Sequence, residues 1–141
     1  MRKQLQRVAA LFVVLGFAIG SANGQAGTPG IKVKVPFSFA VGQKTLSAGE
    51  YTVISSKEKI WVQEANGRNM AVLFTNSLDG KVPARDGRVV FKCYFGECFL
   101  SQVWIAGQEA GRRLPDSKRQ LQLAKKGPGE EYALLGTATQ R

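Results

Sequence analysis

Apolar side chains stand at every second position from Ile31 to Val41, with polar or small residues between them. A period of two is typical of a β-strand that buries one face, because successive side chains of a strand point to opposite sides. Pro36 interrupts this run and has no backbone N–H to donate, so we expect the strand to lie at a sheet edge or to bend there. The pattern therefore favours β-structure.

Short β-type runs separated by turn signals continue through most of the chain. Asn66-Gly67 predicts a hairpin with a type I′ turn, in which both turn residues have positive φ. Residues 117–126 are the only convincing helix, with Ser117 and Gln120 spaced as a capping box. Six or seven short strands predict a mostly β fold, a single small antiparallel β-sandwich or barrel-like domain with one C-terminal helix at about 117–126.

Residues 1–24 have the order of parts found in a cleavable signal peptide. Three basic residues and no acid precede an apolar run of twelve residues, Val8 to Ile19. Twelve is fewer than the ~20 apolar residues that a membrane span needs, so a transmembrane anchor is disfavoured. Small residues at Ala22-Asn23-Gly24 provide a cleavage point after an N-terminal signal helix. We therefore expect an exported protein, periplasmic or secreted, with a single mature domain over residues 25–141.

Two segments of the mature domain contain several turn residues and are expected to be connections without regular structure. These segments are residues 76–87 and 106–115, which contain glycine and proline. The two ends of the domain, residues 25–30 and 136–141, are expected to be flexible.

The two cysteines of the chain, Cys93 and Cys98, stand in a predicted hairpin. Export would place them in an oxidising compartment, where disulfides form. Directly opposed Cβ atoms are ~4.5–5.5 Å apart, against ~7–8 Å on the diagonal, and a disulfide requires the closer spacing. A four-residue loop over Tyr94 to Glu97 opposes the cysteines directly, whereas a two-residue loop at Gly96-Glu97 leaves them diagonal. We predict the bond and the four-residue loop.

The chain contains no histidine, which removes the commonest general base and the commonest metal ligand. No other recognisable catalytic constellation is present, so we expect no enzyme activity, no cofactor and no metal. A carboxylate-based hydrolase is the enzymatic alternative, and it requires two acidic side chains that face each other across a cleft.

The mature domain is basic, since removal of residues 1–24 takes away three basic residues and lowers the formal net charge from +10 to +7. This balance favours anionic partners such as acidic glycans or lipid headgroups. No motif for specific nucleic-acid recognition is present. A solvated outer helix face produces the same pattern as a binding surface, so the binding role is a hypothesis. The candidate anion-binding residues are Arg112, Arg113, Lys118, Arg119, Lys125 and Lys126.

Trp61 and Trp104 lie in predicted strands and are candidates for stacking against a ligand. Tryptophan in a strand more often packs in the core or at its rim. Exposure of both rings on one sheet would favour a carbohydrate site.

Two segments of the mature chain resemble a family of small exported bacterial β-rich proteins. The segments are VPFSFAVGQKTLSAGEYTV (35–53) and YFGECFLSQVWIAGQEAGRRLPDSK (94–118). They are similar to the family patterns VPFxFxVGxxxLxAGEYxV and FLSxVWxAGxxxGRxLPxS. The family has no assigned activity, so the resemblance implies a secreted single β-rich domain and carries over no functional residue. Cys93 and Cys98 depart from the family, in which this turn more often reads RYGDQY.

These features predict an exported, non-enzymatic β-domain of the cell envelope or extracellular space, acting by binding or as a structural component. A small-ligand carrier is a second hypothesis. It requires the sheet to close into a barrel around an open apolar interior.

Overall fold

The computed structural model describes residues 28–80 and 82–140, so the predicted signal peptide over residues 1–24 lies outside the described residues. Within these ranges the chain forms twelve strands and one helix, more strands than the six or seven predicted. The elements are β1 (Pro29–Val35), β2 (Phe39–Val41), β3 (Lys44–Leu46), β4 (Gly49–Ser55), β5 (Lys59–Glu64), β6 (Asn69–Phe74), β7 (Asn76–Asp79), β8 (Arg88–Tyr94), β9 (Glu97–Trp104), β10 (Ala110–Arg113), α1 (Lys118–Ala124), β11 (Glu130–Leu135) and β12 (Thr137–Gln140).

Two largely antiparallel sheets form the domain. The first sheet has the strand order β12-β1-β4-β5-β6. The second has the order β11-β8-β9-β10-β7, with the β2–β3 hairpin attached to β9 through a parallel pairing of β2. The fold is therefore mostly β, a small sandwich with one helix rather than a closed barrel, and the predicted fold class is confirmed.

The core lies between the sheets and is filled by their alternating apolar residues. Three aromatic rings meet near its centre, where Phe39 packs edge to face on both Phe91 and Tyr51 with ring centroids 5.3 Å apart. The void recorded among the core side chains is about 10 Å³, which leaves room for no more than a single water molecule. This interior lacks the open cavity that the carrier hypothesis requires.

The alternating run from Ile31 to Val41 bends at Pro36, which was one of the two predicted alternatives; the other was a position at a sheet edge. Its first part, β1, is not at an edge, because it pairs with β12 on one side and β4 on the other. Its last part, β2, belongs to the second sheet. The period of two continues across the bend, since Val35 and Phe39 are both buried. One alternating segment thus supplies side chains to the core from both sheets.

Three strands occupy segments that we expected to be irregular or flexible. β7 and β10, in the predicted loops, pair with each other, and β12 pairs with β1. Neither Asn76–Asp79 nor Ala110–Arg113 has the composition of a strand, and each is ordered by pairing with a distant segment. The two loop predictions were wrong because sheet pairing outweighed local preference, whereas the expected flexibility of residues 136–141 stays a prediction.

The Asn66-Gly67 hairpin is present, but its turn differs from the prediction. Gly67 donates its N–H to the carbonyl of Glu64 at 2.8 Å and has a φ of 89°. Asn66 is not among the residues of positive φ. A turn closed by one glycine in the left-handed region is the three-residue type of hairpin, not type I′.

Cys93 and Cys98 are directly opposed and form a disulfide, as predicted. Tyr94 and Glu97 also pair, so the loop between the strands is the two-residue Phe95-Gly96 and not the predicted four-residue loop. Phe95 and Gly96 have φ values of 52° and 85°, which is the type I′ geometry expected of two-residue hairpins. The bond is typical of proteins that fold in an oxidising compartment.

The helix α1 is close to the one predicted over 117–126. Ser117 is its N-cap, and the Ser117 Oγ accepts the backbone N–H of Gln120 at 3.2 Å. Lys125 is its C-cap. No helix in the described part of the chain has the length and apolar character needed to cross a bilayer.

Replacement of both cysteines, Cys93→Ser with Cys98→Ser, should lower the free energy of unfolding by roughly 2 kcal/mol, since the closed ring is short. Thermal unfolding of the oxidised protein and the double variant measures this difference. Equal stability of the two would contradict a stabilising role for the bond.

A glycine-to-alanine change at Gly111 should destabilise the sandwich by about 1–3 kcal/mol. A Cβ atom there would lie 2.6 Å from the Trp104 ring, on the neighbouring strand, so the ring must move. The control is Gly49→Ala, whose Cβ would have its nearest neighbour at 3.6 Å. Chemical denaturation gives the two stabilities, and tryptophan fluorescence should change only for Gly111→Ala.

Candidate functional site

A groove of about 490 Å³ opens where three segments far apart in the sequence meet. Its walls are the β2–β3 hairpin, the turn and first residues that begin β9, and the N-terminal end of α1. We call it the helix groove. Concave surfaces with several converging polar groups are the usual form of a binding site. The polar side chains that line it include Ser38, Gln43, Thr45, Glu97, Lys118 and Arg119.

The helix is held beside this groove by a small apolar cluster of its own. Leu123 packs with Tyr94 and Phe99, which lie on the outer side of the second sheet. Gln120 is also buried, whereas Leu121 is 49% exposed. Leu123 therefore anchors the helix, and the charged face of the helix remains in solvent.

Arg119 forms the principal ion pair of the groove, with Glu97. The Arg119 Nε donates to the Glu97 Oε1 at 3.0 Å, and the Nη2 donates to the Oε2. The hydrogen bonds from Arg119, together with the positive charges of Arg119 and Lys126, lower the pKa of Glu97 below its ordinary value. Glu97 in turn raises the pKa of Arg119 through the same hydrogen bonds and its negative charge. Both side chains are about half exposed, so the pair orients them more than it stabilises the fold.

The helix brings together three of the six predicted anion-binding residues. Lys118 and Arg119 line the groove, and Lys126 is close enough to influence the titration of Glu97. Two cations therefore share the groove with one acid, Glu97, and Lys126 adds positive charge from just beyond the helix. Lys125 is exposed at the end of the helix.

Arg112 and Arg113 lie on β10, and Arg112 has a structural role there. The Arg112 Nε and Nη2 donate to the side-chain and backbone oxygens of Thr75, both at 2.8 Å. Thr75 stands between β6 and β7, where the chain passes from the first sheet to the second. Arg113 is exposed and, as the next residue of the strand, points to the opposite face.

The two tryptophans lie on different sheets and do not form a common stacking platform. Trp61 is half-buried on β5, with the Lys59 Nζ 5.5 Å from its ring centroid. Trp104 is only 8% exposed, donates its Nε1–H to Gln102, and is covered by the Arg88 guanidinium at 4.9 Å. Trp104 therefore acts as a packing residue.

A second groove, of about 460 Å³, contains two carboxylates and bears on the hydrolase hypothesis. Glu64 pairs with Tyr51 across the sheet, so its side chain lies on the same face as Tyr51. Glu50 precedes Tyr51 and points to the other face, where it lies 3.9 Å from the Lys32 Nζ. The two acids line one rim but do not face each other, so this groove gives the hydrolase hypothesis no support.

No protein family, curated protein or solved structure showed a significant match to this chain. The assignment of a site therefore depends on its geometry and chemistry.

Sequence analysis did not identify Glu97 or the β2–β3 hairpin as parts of the site. Glu97 is separated from Arg119 by 22 residues, and nothing in the local pattern links them. The one available signal was the position of Glu97 beside Cys98 in a predicted turn.

The variant Arg119→Gln should raise the pKa of Glu97 towards its ordinary value, because the change removes the hydrogen bonds and charge that hold it down. Since the folded-state pKa is lowered, the pair stabilises at pH values above the ordinary carboxyl pKa. That contribution is lost as the pH falls through the folded-state pKa. Carboxyl carbon shifts followed by NMR titration measure the change, with Arg113→Gln as the control. An unchanged Glu97 titration in Arg119→Gln would contradict the pairing.

Proposed function

We propose that this chain is an exported, non-enzymatic β-sandwich domain that binds an anionic glycan in the helix groove. The observation that carries this proposal is the placement of Lys118 and Arg119 beside a single acid, Glu97, in a concave surface, with Lys126 adding positive charge near Glu97. The disulfide and the signal-like N-terminus support export to an oxidising compartment.

The charge distribution of the groove favours an anionic ligand. Arg119 is paired with Glu97, whereas Lys118 and Lys126 have no ion-pair partner recorded among the described residues. Because Glu97 is neutralised by Arg119, Lys118 and Lys126 leave an excess of positive charge there, and such an excess at a concave surface concentrates anionic ligands. Carboxylate or sulfate groups of a glycan satisfy this requirement.

The other wall of the groove favours a ligand rich in hydroxyl groups. Gln43 and Thr45 come from the β2–β3 hairpin and Ser38 directly precedes it, and the three offer hydroxyl and amide groups. The groove's volume of about 490 Å³ is within the range of small-ligand sites. These hydroxyl and amide groups can hydrogen-bond the hydroxyl groups of a glycan segment, which a lipid acyl chain lacks.

An array of acidic and neutral glycans, with vesicles of anionic lipid as a separate arm, tests this proposal at low and high salt. We expect retention on acidic glycans that falls with salt, because salt screens exposed charges. The double variant Lys118→Gln with Lys126→Gln should weaken binding about tenfold, which corresponds to ~1.4 kcal/mol.

The control is Lys34→Gln with Lys57→Gln, which removes the same net charge from exposed positions of the first sheet and its β4–β5 turn. This control should retain glycan binding nearly unchanged. Equal losses in both double variants would show non-specific attraction and overturn the assignment of the groove. Binding to vesicles alone, or no retention at low salt, would overturn the glycan proposal.

A further inference from the structure

The strand β6 forms one edge of the first sheet. It pairs with β5 on one side, and no described strand lies on the other. Thr75, directly after β6, donates its N–H to the carbonyl of Glu58 at 2.7 Å. Hydrogen-bonded pairs alternate along an antiparallel ladder, so Leu73 also faces β5. The N–H and C=O groups of Val72 and Phe74 therefore point away from the sheet.

Sequence features that usually block edge pairing are missing from β6. Natural edge strands are commonly protected by charged residues, proline, β-bulges or short length. The pairing of β6 with β5 has one irregularity of register, at Met70, and the ladder continues regularly from Ala71 to Phe74. β6 has six residues and contains neither a charge nor a proline. The other described edges differ: β3, β7 and β11 contain charged residues, and β12 has four residues with polar threonines.

The side chains beside this edge form an exposed apolar strip. Val72 is 50% exposed and Phe74 is 69% exposed. Val72 lies opposite Trp61 on β5, so the strip continues onto the next strand. The Lys59 Nζ lies 5.5 Å and 5.6 Å from the ring centroids of Trp61 and Phe74, so this cation already interacts with the two rings.

We propose that a second copy of this chain pairs with β6, with the two β6 strands antiparallel about a two-fold axis. The pairing joins the first sheets of both copies into one continuous sheet of ten strands, twice the five in each. A two-fold contact needs a self-complementary surface. The chain as a whole carries a net charge of +10, but β6 is uncharged, so two copies of the strand can pair without repulsion between like charges on the strands.

The charges at the two ends of β6 favour a second copy over an unrelated strand. Arg68 directly precedes β6, and Glu58 lies beside Thr75 at its other end. Antiparallel pairing places the start of one β6 beside the end of the other. Arg68 of each copy is thereby brought to the end of the other β6, where Glu58 lies one strand further in, within reach of a long arginine side chain, and this arrangement occurs twice.

Sedimentation velocity of the chain from residue 25 onwards, over a range of concentrations, tests this proposal. We expect a reversible monomer–dimer equilibrium. Val72→Pro should raise the dimer dissociation constant by about tenfold or more, since each copy loses an outward N–H. An edge position tolerates proline. The control Val72→Thr keeps that N–H and should remain close to the parent protein.

Two further measurements keep the test decisive if Val72→Pro fails to fold. Val72→Lys should also favour the monomer while far-UV circular dichroism stays unchanged. Glu58→Arg and Arg68→Glu should each weaken the dimer, and the two combined should restore it. A monomer at every concentration, or a dimer that Val72→Lys leaves intact, would overturn the proposal. Glycan binding is measured separately, so failure of one proposal does not decide the other.

Discussion

The rest of this structure depends on the contact between the inner faces of the two sheets. Phe39, Phe91 and Tyr51 meet edge to face at its centre and come from strands of both sheets. Because consecutive strands are divided between the sheets, the chain must cross from one to the other without leaving backbone groups unpaired in the core. The chain crosses at four places in the described residues. It bends at Pro36 to Ser38 at the first of them, and at Thr75 Arg112 donates to both oxygens of the crossing residue.

The candidate site is a consequence of this arrangement. Packing of the second sheet fixes the β8–β9 hairpin, and the disulfide between Cys93 and Cys98 ties its two strands together. That hairpin presents Glu97 at its turn and Phe99 two residues further along the strand. Phe99 and Tyr94 hold α1 through Leu123, which places Arg119 within hydrogen-bonding distance of Glu97. The charged surface is thus positioned by a short chain of packing contacts that begins in the core.

Local patterns predicted those elements whose partners are close in sequence. The β8–β9 hairpin, its directly opposed cysteines and the Ser117 cap were all predictable, because each involves residues within a few positions of one another. The type I′ turn was assigned to the wrong hairpin. Asn66 has the residue type that favours it, yet Phe95 adopts the positive φ, because the short loop between two tightly paired strands imposes it. A local preference was overruled by the pairing of the strands on either side.

The sequence by itself determined that this chain buries alternating apolar residues in β-structure, carries one late helix, and opposes its two cysteines. These properties follow from side-chain period and short-range spacing. Only the tertiary structure decided the assignment of strands to sheets, the strand state of β7, β10 and β12, and the separation of Arg112 from the cations on α1. It also left β6 as an open edge. Such features depend on pairing between segments far apart in the chain, and the free energy of that pairing is not encoded in any local pattern.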